Sequence, residues 1–255
     1  MNFNKSYALC KVPPWLLALS EQENFFPHGA WHNYTGGYAF PPGFMPIIIE
    51  DSLPACIGIF RCHLLKAGFV YCYYSFEDGE MRLVAKNNVE FAAYLCVLLL
   101  GMGEEDGIIN EFAVKVGVVD LARLAKIAWD CDYCSTWQKK YFHTSAFEPK
   151  VAVGELDWVV DLFESLEHGT DINLALDNKL NSAGHQIEQC FRRASDEKNH
   201  SLAWLYLNMP GWGMADAQKS CRSLIRGCES IEPSLLKHIQ YWTETPDITP
   251  DHYGY

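Results

Sequence analysis

The sequence contains one pair of closely spaced cysteines, a residue type that can ligate zinc or exchange disulfides. Cys131 and Cys134 form its only Cys-x-x-Cys motif. A structural zinc needs four ligands, and the nearest later candidate, His143, stands alone. A redox pair would follow a strand and open a helix, whereas this pair follows a helical pattern that ends at Trp129. We therefore predict two packed thiols, with no metal and no cofactor.

Three histidines in the first part of the chain could do acid–base chemistry if the fold brought them together. His28, His32 and His63 lie among Gly, Trp and Cys residues. The chain lacks the motifs Gly-x-Ser-x-Gly, His-Glu-x-x-His and Gly-x-x-x-x-Gly-Lys-Ser/Thr, which mark common catalytic scaffolds. We therefore predict that the protein is not an enzyme. The alternative is an enzyme whose site lies in the aromatic loop 25–44, with His28 or His32 as acid or base.

Acidic side chains are the third candidate group. The chain has 32 Asp and Glu against 20 Lys and Arg, and residues 104–178 alone hold 15 acids and 6 bases. This balance argues against binding to nucleic acid or an anionic membrane, because phosphates are held mainly by Lys and Arg. It favours a basic protein partner, which an acidic surface would steer into place. The predicted contact residues are Glu104, Glu105, Asp106, Asp130, Asp132, Asp157, Asp161 and Glu164, with Trp31 and Tyr34 as aromatic anchors.

The elements that position these residues follow from the apolar pattern. A short helix is predicted over 13–21, followed by the aromatic and Gly-rich loop. Runs rich in Ile, Val, Tyr and Phe then alternate with turn signals, which predicts an antiparallel meander. The predicted strands are Pro46–Ile49, Ala55–Phe60, Phe69–Tyr74 and Met81–Val84, with a tight turn at Glu77-Asp-Gly79.

A helix over Val89–Met102, capped by Asn88, is apolar almost all round and should be buried on several sides. Gly101–Gly107 resembles a phosphate loop, but its three consecutive carboxylates would repel an anion, so we predict a helix end and an acidic helix start. The rest of the chain reads as helical. The predicted helices are Gly107–Val116, Asp120–Asp130, Gly154–His168, Ala183–Arg193, Ser201–Leu207, Met214–Arg226 and Pro233–Trp242.

Strands early and helices late predict an α+β fold, with an antiparallel sheet and covering helix over 1–103 and a helical extension over 104–255. Whether the boundary near 103–106 separates two domains or two layers is left open. Lys11 and the prolines that follow it interrupt any signal-peptide core, and the longest apolar run, Phe91–Met102, is too short to span a bilayer. We expect a cytoplasmic protein with mostly reduced cysteines.

Five segments follow one another over residues 12–102: Val12-Pro-Pro-Trp15, Phe44-Met-Pro-Ile-Ile-Ile-Glu-Asp51, Cys56-Ile-Gly-Ile-Phe60, Ala67-Gly-Phe-Val-Tyr-Cys-Tyr-Tyr-Ser75 and Asn88-Val-Glu-Phe91. Their order resembles the SUKH superfamily. It implies an α+β binding scaffold without catalytic residues or cofactor, most often an immunity protein that neutralises a toxin delivered by neighbouring bacteria. It transfers no set of contact residues.

The function expected from the sequence is therefore an immunity protein that occludes the active site of a cognate toxin. That toxin should be basic, because toxins that act on nucleic acids or nucleotides carry Lys and Arg for their substrate. A third interpretation, in addition to the enzyme, is a general protein-interaction scaffold. An exposed aromatic patch would support it.

Overall fold

The computed structural model describes residues 12–22, 25–33, 40–50, 55–61, 63–65, 68–75, 81–131, 136–142, 185–209, 212–244 and 252–253. The predicted turn at 77–79 and the predicted helix at 154–168 lie outside these residues.

A five-stranded antiparallel sheet forms the centre of the described structure, with strand order β1-β2-β3-β4-β5. The four predicted strands are confirmed. The sequence interpretation expected a continuous loop before the first of these strands. This was wrong for residues 31–33, which form a strand that pairs with residues 48–50. The strands are β1 Trp31–Asn33, β2 Phe44–Glu50, β3 Ala55–Phe60, β4 Val70–Ser75 and β5 Met81–Ala85.

Strand β3 lies in the middle of the sheet, and all six of its residues are buried. Side chains of a strand point alternately to the two faces, so both faces of the sheet must be covered. Gly58 permits an unusually close approach to β2. A Cβ built at Gly58 would lie 2.3 Å from the carbonyl oxygen of Met45. The pairing of β2 with β3 shifts register between Pro46 and Ile48.

One face is covered by the apolar helix α2, Asn88–Gly101. Its cap is Asn87, one residue before the predicted cap, and the Asn87 side chain accepts hydrogen bonds from the N–H groups of Val89 and Glu90. The ring of Phe91 on α2 stacks on Tyr71 of β4, with centroids 3.9 Å apart. The other sides of α2 pack against later helices, as its nearly uniform apolar sequence predicted.

Most of the remaining helices match predicted helices. Together with the sheet they give the α+β fold class that the sequence predicted. One helix was not predicted, at 136–142, where a short polar and aromatic segment gives little helical pattern. A two-residue strand pair, β6 with β7, also lies in the later part of the chain. The elements are α1 Pro14–Glu21, α3 Asp106–Val116, α4 Leu121–Trp129, α5 Thr136–Phe142, α6 His185–Asp196, α7 His200–Leu207, β6 Trp212–Gly213, α8 Met214–Gly227, α9 Pro233–Glu244 and β7 His252–Tyr253.

The C-terminal helices share one hydrophobic core with the sheet. The indole Nε1 of Trp242 on α9 donates a hydrogen bond to the carbonyl oxygen of Phe40 (3.0 Å), just before β2. Trp204 on α7 donates similarly to the carbonyl oxygen of Arg61 (2.9 Å), just after β3. These contacts connect the later helices to the sheet across the predicted boundary near 103–106.

Among the helices in the described ranges, none combines the length and the apolar character that a membrane span requires.

Candidate functional site

Helices α3 and α4 present the first group of predicted contact residues. Both helices pack against α2. Helix α3 ends at Gly117, which has a left-handed φ of 81°, and the Asp120 side chain caps α4 by accepting a hydrogen bond from Arg123 N–H (3.2 Å). The connection is therefore short and fully structured. The two helices hold their outward-facing side chains on a common support.

The predicted acidic residues of this region differ in their exposure. Glu105 precedes α3, Asp106 lies in its first turn, and both are exposed. The acidic helix start that the sequence predicted is confirmed, and a negative charge is favourable there because of the helix dipole. Glu104 is half-buried beside His28. Asp130 is exposed at the far end of α4, a helix about 13 Å long.

Glu104, Glu105 and Asp106 are consecutive at the start of α3, and Asp130 follows the last residue of α4. The other predicted contact residues lie outside the described residues: Tyr34, Asp132, Asp157, Asp161 and Glu164.

Trp31 is buried in the core and cannot serve as a surface anchor in this conformation. Its side chain is 4% exposed, and its ring packs edge-on against Phe26 at 6.4 Å between centroids. The sequence interpretation placed Trp31 in a long ordered loop and proposed it as an aromatic anchor. Its place in β1 explains the difference, because the pairing of β1 with β2 turns the indole into the core.

Three exposed apolar residues in this region were missed from the sequence, one on α3, one in the α3–α4 connection and one at the end of α4. Val114 is 80% exposed, Val119 is 99% exposed and Trp129 is 64% exposed. The signal was available, because Trp129 shares one side of the amphipathic α4 with the exposed Ala122 and Lys126, at helical spacing. We call the exposed residues Glu105, Asp106, Val114, Val119, Trp129 and Asp130 the α3–α4 surface.

The histidines do not form a shared cluster in the described structure. His63 is buried after β3, whereas His28 and His32 are half-buried near β1. His28 Nδ1 accepts a hydrogen bond from Ala30 N–H (3.2 Å), and His28 Nε2 lies 3.8 Å from Glu104 Oε1. Because the Nδ1 lone pair is already used, His28 in this geometry has no nitrogen ready to accept a proton from a substrate.

A second polar cluster is buried between the sheet and the C-terminal helices. Arg61 is 2% exposed; its Nη1 donates to Ser234 Oγ (3.0 Å) and its Nη2 to Glu232 Oε2 (2.7 Å). Glu232 Oε2 also accepts hydrogen bonds from Ser234 Oγ and from Leu235 N–H. The guanidinium charge is therefore compensated inside the protein, as a buried charge requires.

The backbone of Arg61 joins the same cluster. Arg61 N–H donates to the carbonyl oxygen of Gly43 (2.8 Å), while Gly43 N–H donates to Asn208 Oδ1 (2.6 Å). Asn208 Nδ2 in turn donates to the carbonyl oxygen of Trp204 (2.8 Å). We call Gly43, Arg61, Trp204, Asn208, Glu232 and Ser234 the Arg61 junction.

The ionisable groups at this junction have strongly displaced pKa values. Burial opposes ionisation of Glu232, but hydrogen bonds from Ser234, Leu235 and Arg61, with the Arg61 charge, outweigh it and lower its pKa to about 2. Burial, assisted by the Arg61 charge, lowers the pKa of His238 to about 3, against the opposing effect of the backbone carbonyl oxygen of Pro42, which accepts a hydrogen bond from the ring. Near neutral pH the junction therefore contains one ion pair, and the nearby His238 is neutral.

Of the Cys-x-x-Cys pair, Cys131 is buried as a free thiol, and Cys134 lies outside the described residues. Among the described residues, no group of three or more His, Cys, Asp and Glu side chains could hold a metal ion.

Comparison of the chain with protein-family models, with curated proteins and with solved structures finds no match.

Proposed function

We propose that this protein is a cytoplasmic immunity protein that binds a cognate, basic protein toxin and occludes its active site, as part of competition between bacteria. The observation that carries the proposal is the α3–α4 surface, where exposed carboxylates and exposed apolar side chains lie on two consecutive helices and on the residues that flank them. Protein interfaces typically combine apolar anchors with a polar rim, and tryptophan is enriched among the residues that dominate binding energy.

The support beneath this surface suits a binding role. Both helices rest on the buried helix α2, and α2 rests on the sheet through the Phe91–Tyr71 stack. A surface held in place before binding loses little conformational freedom when a partner docks. The exposed carboxylates Glu105 and Asp106 would speed the approach of a basic protein, and salt would weaken that effect.

The proposal is tested by co-expressing the protein with the toxin encoded in the adjacent reading frame. We expect the protein to protect the cells and to form a complex with the purified toxin. The double variant Glu105→Lys with Asp106→Lys should lower the association rate constant at least about tenfold at low salt. The matched control is Asp216→Lys, which changes an exposed acid in the first turn of α8. Equal rates of cell death with and without the wild-type protein would overturn the proposal.

An enzyme is the alternative that a specific observation favours, since Glu104 places a carboxylate 3.8 Å from His28. Substitution of His28 or His32 by Gln should then abolish turnover. The hydrogen bond from Ala30 N–H to His28 Nδ1 argues against the enzyme interpretation, because this bond occupies the nitrogen that a general base would use.

A further inference from the structure

Trp129 differs in exposure from most tryptophans in the described part of the chain. It is 64% exposed, whereas five others are at most 4% exposed: Trp31, Trp137, Trp204, Trp212 and Trp242. The next residue, Asp130, is also exposed, and its carboxylate makes no hydrogen bond or ion pair within the residues that the structure describes. An exposed indole and an unengaged carboxylate therefore follow each other at the C-terminal end of α4.

An internal contact shows how this protein holds an arginine with an aromatic ring and a helix end. The guanidinium of Arg123 lies over the ring of Tyr141, 5.2 Å from its centroid, and Nη2 donates a hydrogen bond to the carbonyl oxygen of Tyr141 (2.9 Å). Tyr141 lies in the last turn of α5, where the carbonyl groups give the helix end a partial negative charge. The ring face and the helix end together stabilise the cation.

The end of α4 offers a similar combination on the outside of the protein. Side chains of a helix lean towards its N-terminus, so Trp129 and Asp130, three and four residues after Lys126, both border the surface above that lysine. Lys126 is exposed and makes no ion pair with Asp130 in the ranges that the structure describes. A cation brought by a partner therefore reaches both the indole and the carboxylate, and the ammonium group of Lys126 competes with it.

We propose that Trp129 and Asp130 form a site for an arginine side chain of the partner, the Trp129–Asp130 site. A planar guanidinium stacks on an aromatic face and donates paired hydrogen bonds to a carboxylate, whereas the ammonium of a lysine is a point charge without a flat face. Charge complementarity favours such a partner, since the α3–α4 surface carries three exposed carboxylates and the chain has 32 acids against 20 bases. The inference rests on the proposed function, because it names the group of the toxin that this surface recognises.

The first arm of the test measures the affinity for the toxin encoded in the adjacent reading frame, at physiological salt, where long-range effects of net charge are largely screened. Trp129→Ala should raise the dissociation constant at least about 30-fold, as expected for a dominant aromatic anchor. Asp130→Asn should raise it about tenfold, through the loss of charge-assisted hydrogen bonds. Lys126→Gln should lower it about threefold, because a competing cation is removed.

Each variant has a matched control on another helix. Tyr241→Ala removes a 39% exposed ring on α9, Asp216→Asn removes an exposed acid on α8, and Lys115→Gln removes an exposed lysine on α3. Each control should change the dissociation constant less than about twofold. Urea unfolding of the test variants should match that of the wild type, since the substituted side chains are exposed.

The second arm needs no toxin. The full-length protein is titrated with the peptide acetyl-Gly-Arg-Gly-amide and with its citrulline counterpart, which has a similar shape and no charge. Nuclear magnetic resonance should show a saturable shift of the Trp129 indole N–H signal with the arginine peptide. The shift should be smaller with the citrulline peptide and in Asp130→Asn.

The two arms separate failure of the inference from failure of the proposed function. Toxin binding that is unchanged in Trp129→Ala and Asp130→Asn would refute the Trp129–Asp130 site and leave the proposed function intact. Equal shifts with the two peptides would also refute it, because the indole would then not distinguish a cation. A toxin that does not bind, with an arginine-specific shift at Trp129, would instead remove the proposed function and support the site.

Discussion

The Arg61 junction and the α3–α4 surface both contain charged side chains, and the two regions differ in where those charges find their partners. At the junction, Arg61 is satisfied by Glu232 and Ser234, residues more than 170 positions away in the chain. On the surface, Glu105 and Asp106 are adjacent in sequence and face solvent. A buried charge must be compensated within the fold, whereas an exposed charge is stabilised by water and stays available for a second molecule.

This difference predicts how the regions respond to substitution. Changes at the junction should reduce the stability of the protein, and changes on the surface should leave stability nearly intact and alter binding instead. The following predictions test that contrast, from the largest expected effect to the smallest.

The first prediction concerns removal of the buried charge. Arg61→Met should lower the free energy of unfolding by about 3 kcal/mol or more, because Glu232 and Ser234 lose a partner inside the protein. Urea unfolding measures the loss. The control is Arg192→Met, which breaks an exposed pair with Glu188 on α6 and should cost less than about 0.5 kcal/mol. Similar losses in the two variants would mean that the Arg61 junction does not stabilise the fold.

The second prediction concerns acid pH. The folded protein holds the pKa of Glu232 at about 2, whereas a glutamate in an unfolded chain titrates near about 4.3. A lowered pKa contributes stability that is present above the unfolded value and is lost as pH falls towards 2. Glu232→Gln should therefore be less stable than the wild type at pH 6, by about 1–3 kcal/mol. The difference in the free energy of unfolding should shrink between pH 4.5 and pH 2. Urea unfolding across this range measures it, and a difference that stayed constant would contradict the prediction.

The sequence predicted the meander and most helices because their patterns are local. Periods of two and of 3.6 residues, with turn signals between them, appear within short windows. The strand Ala55–Phe60 has the predicted bounds, and the bounds of α2 shift by one residue. Strand β1 was missed because three residues carry too little pattern, and its pairing depends on β2.

The candidate sites were predictable to different degrees for the same reason. The acidic start of α3 is visible in three consecutive residues, so the prediction of Glu105 and Asp106 as exposed acids needed no tertiary information. The Arg61 junction could not be predicted, because nothing local to Arg61 indicates Glu232 or Asn208 as neighbours. Trp129 is an intermediate case. Its helical spacing was visible in the sequence, but whether its side chain is exposed depends on which face of α4 contacts α2.

The last prediction compares Gly43, in the Arg61 junction, with Gly107, which lies beside the α3–α4 surface. A Cβ on Gly43 would lie 2.7 Å from Asn208 Oδ1 and 2.9 Å from Trp204 Cζ2, whereas a Cβ on Gly107, in the first turn of α3, meets nothing within 4 Å. Gly43→Ala should therefore cost about 1–3 kcal/mol of stability through overpacking. Gly107→Ala should instead gain about 0.5 kcal/mol, because alanine loses less backbone entropy in a helix. Urea unfolding of both variants decides the comparison. If Gly107→Ala destabilised the protein as much as Gly43→Ala, the start of α3 would be packed rather than open, and the acidic residues beside it could not offer a docking surface.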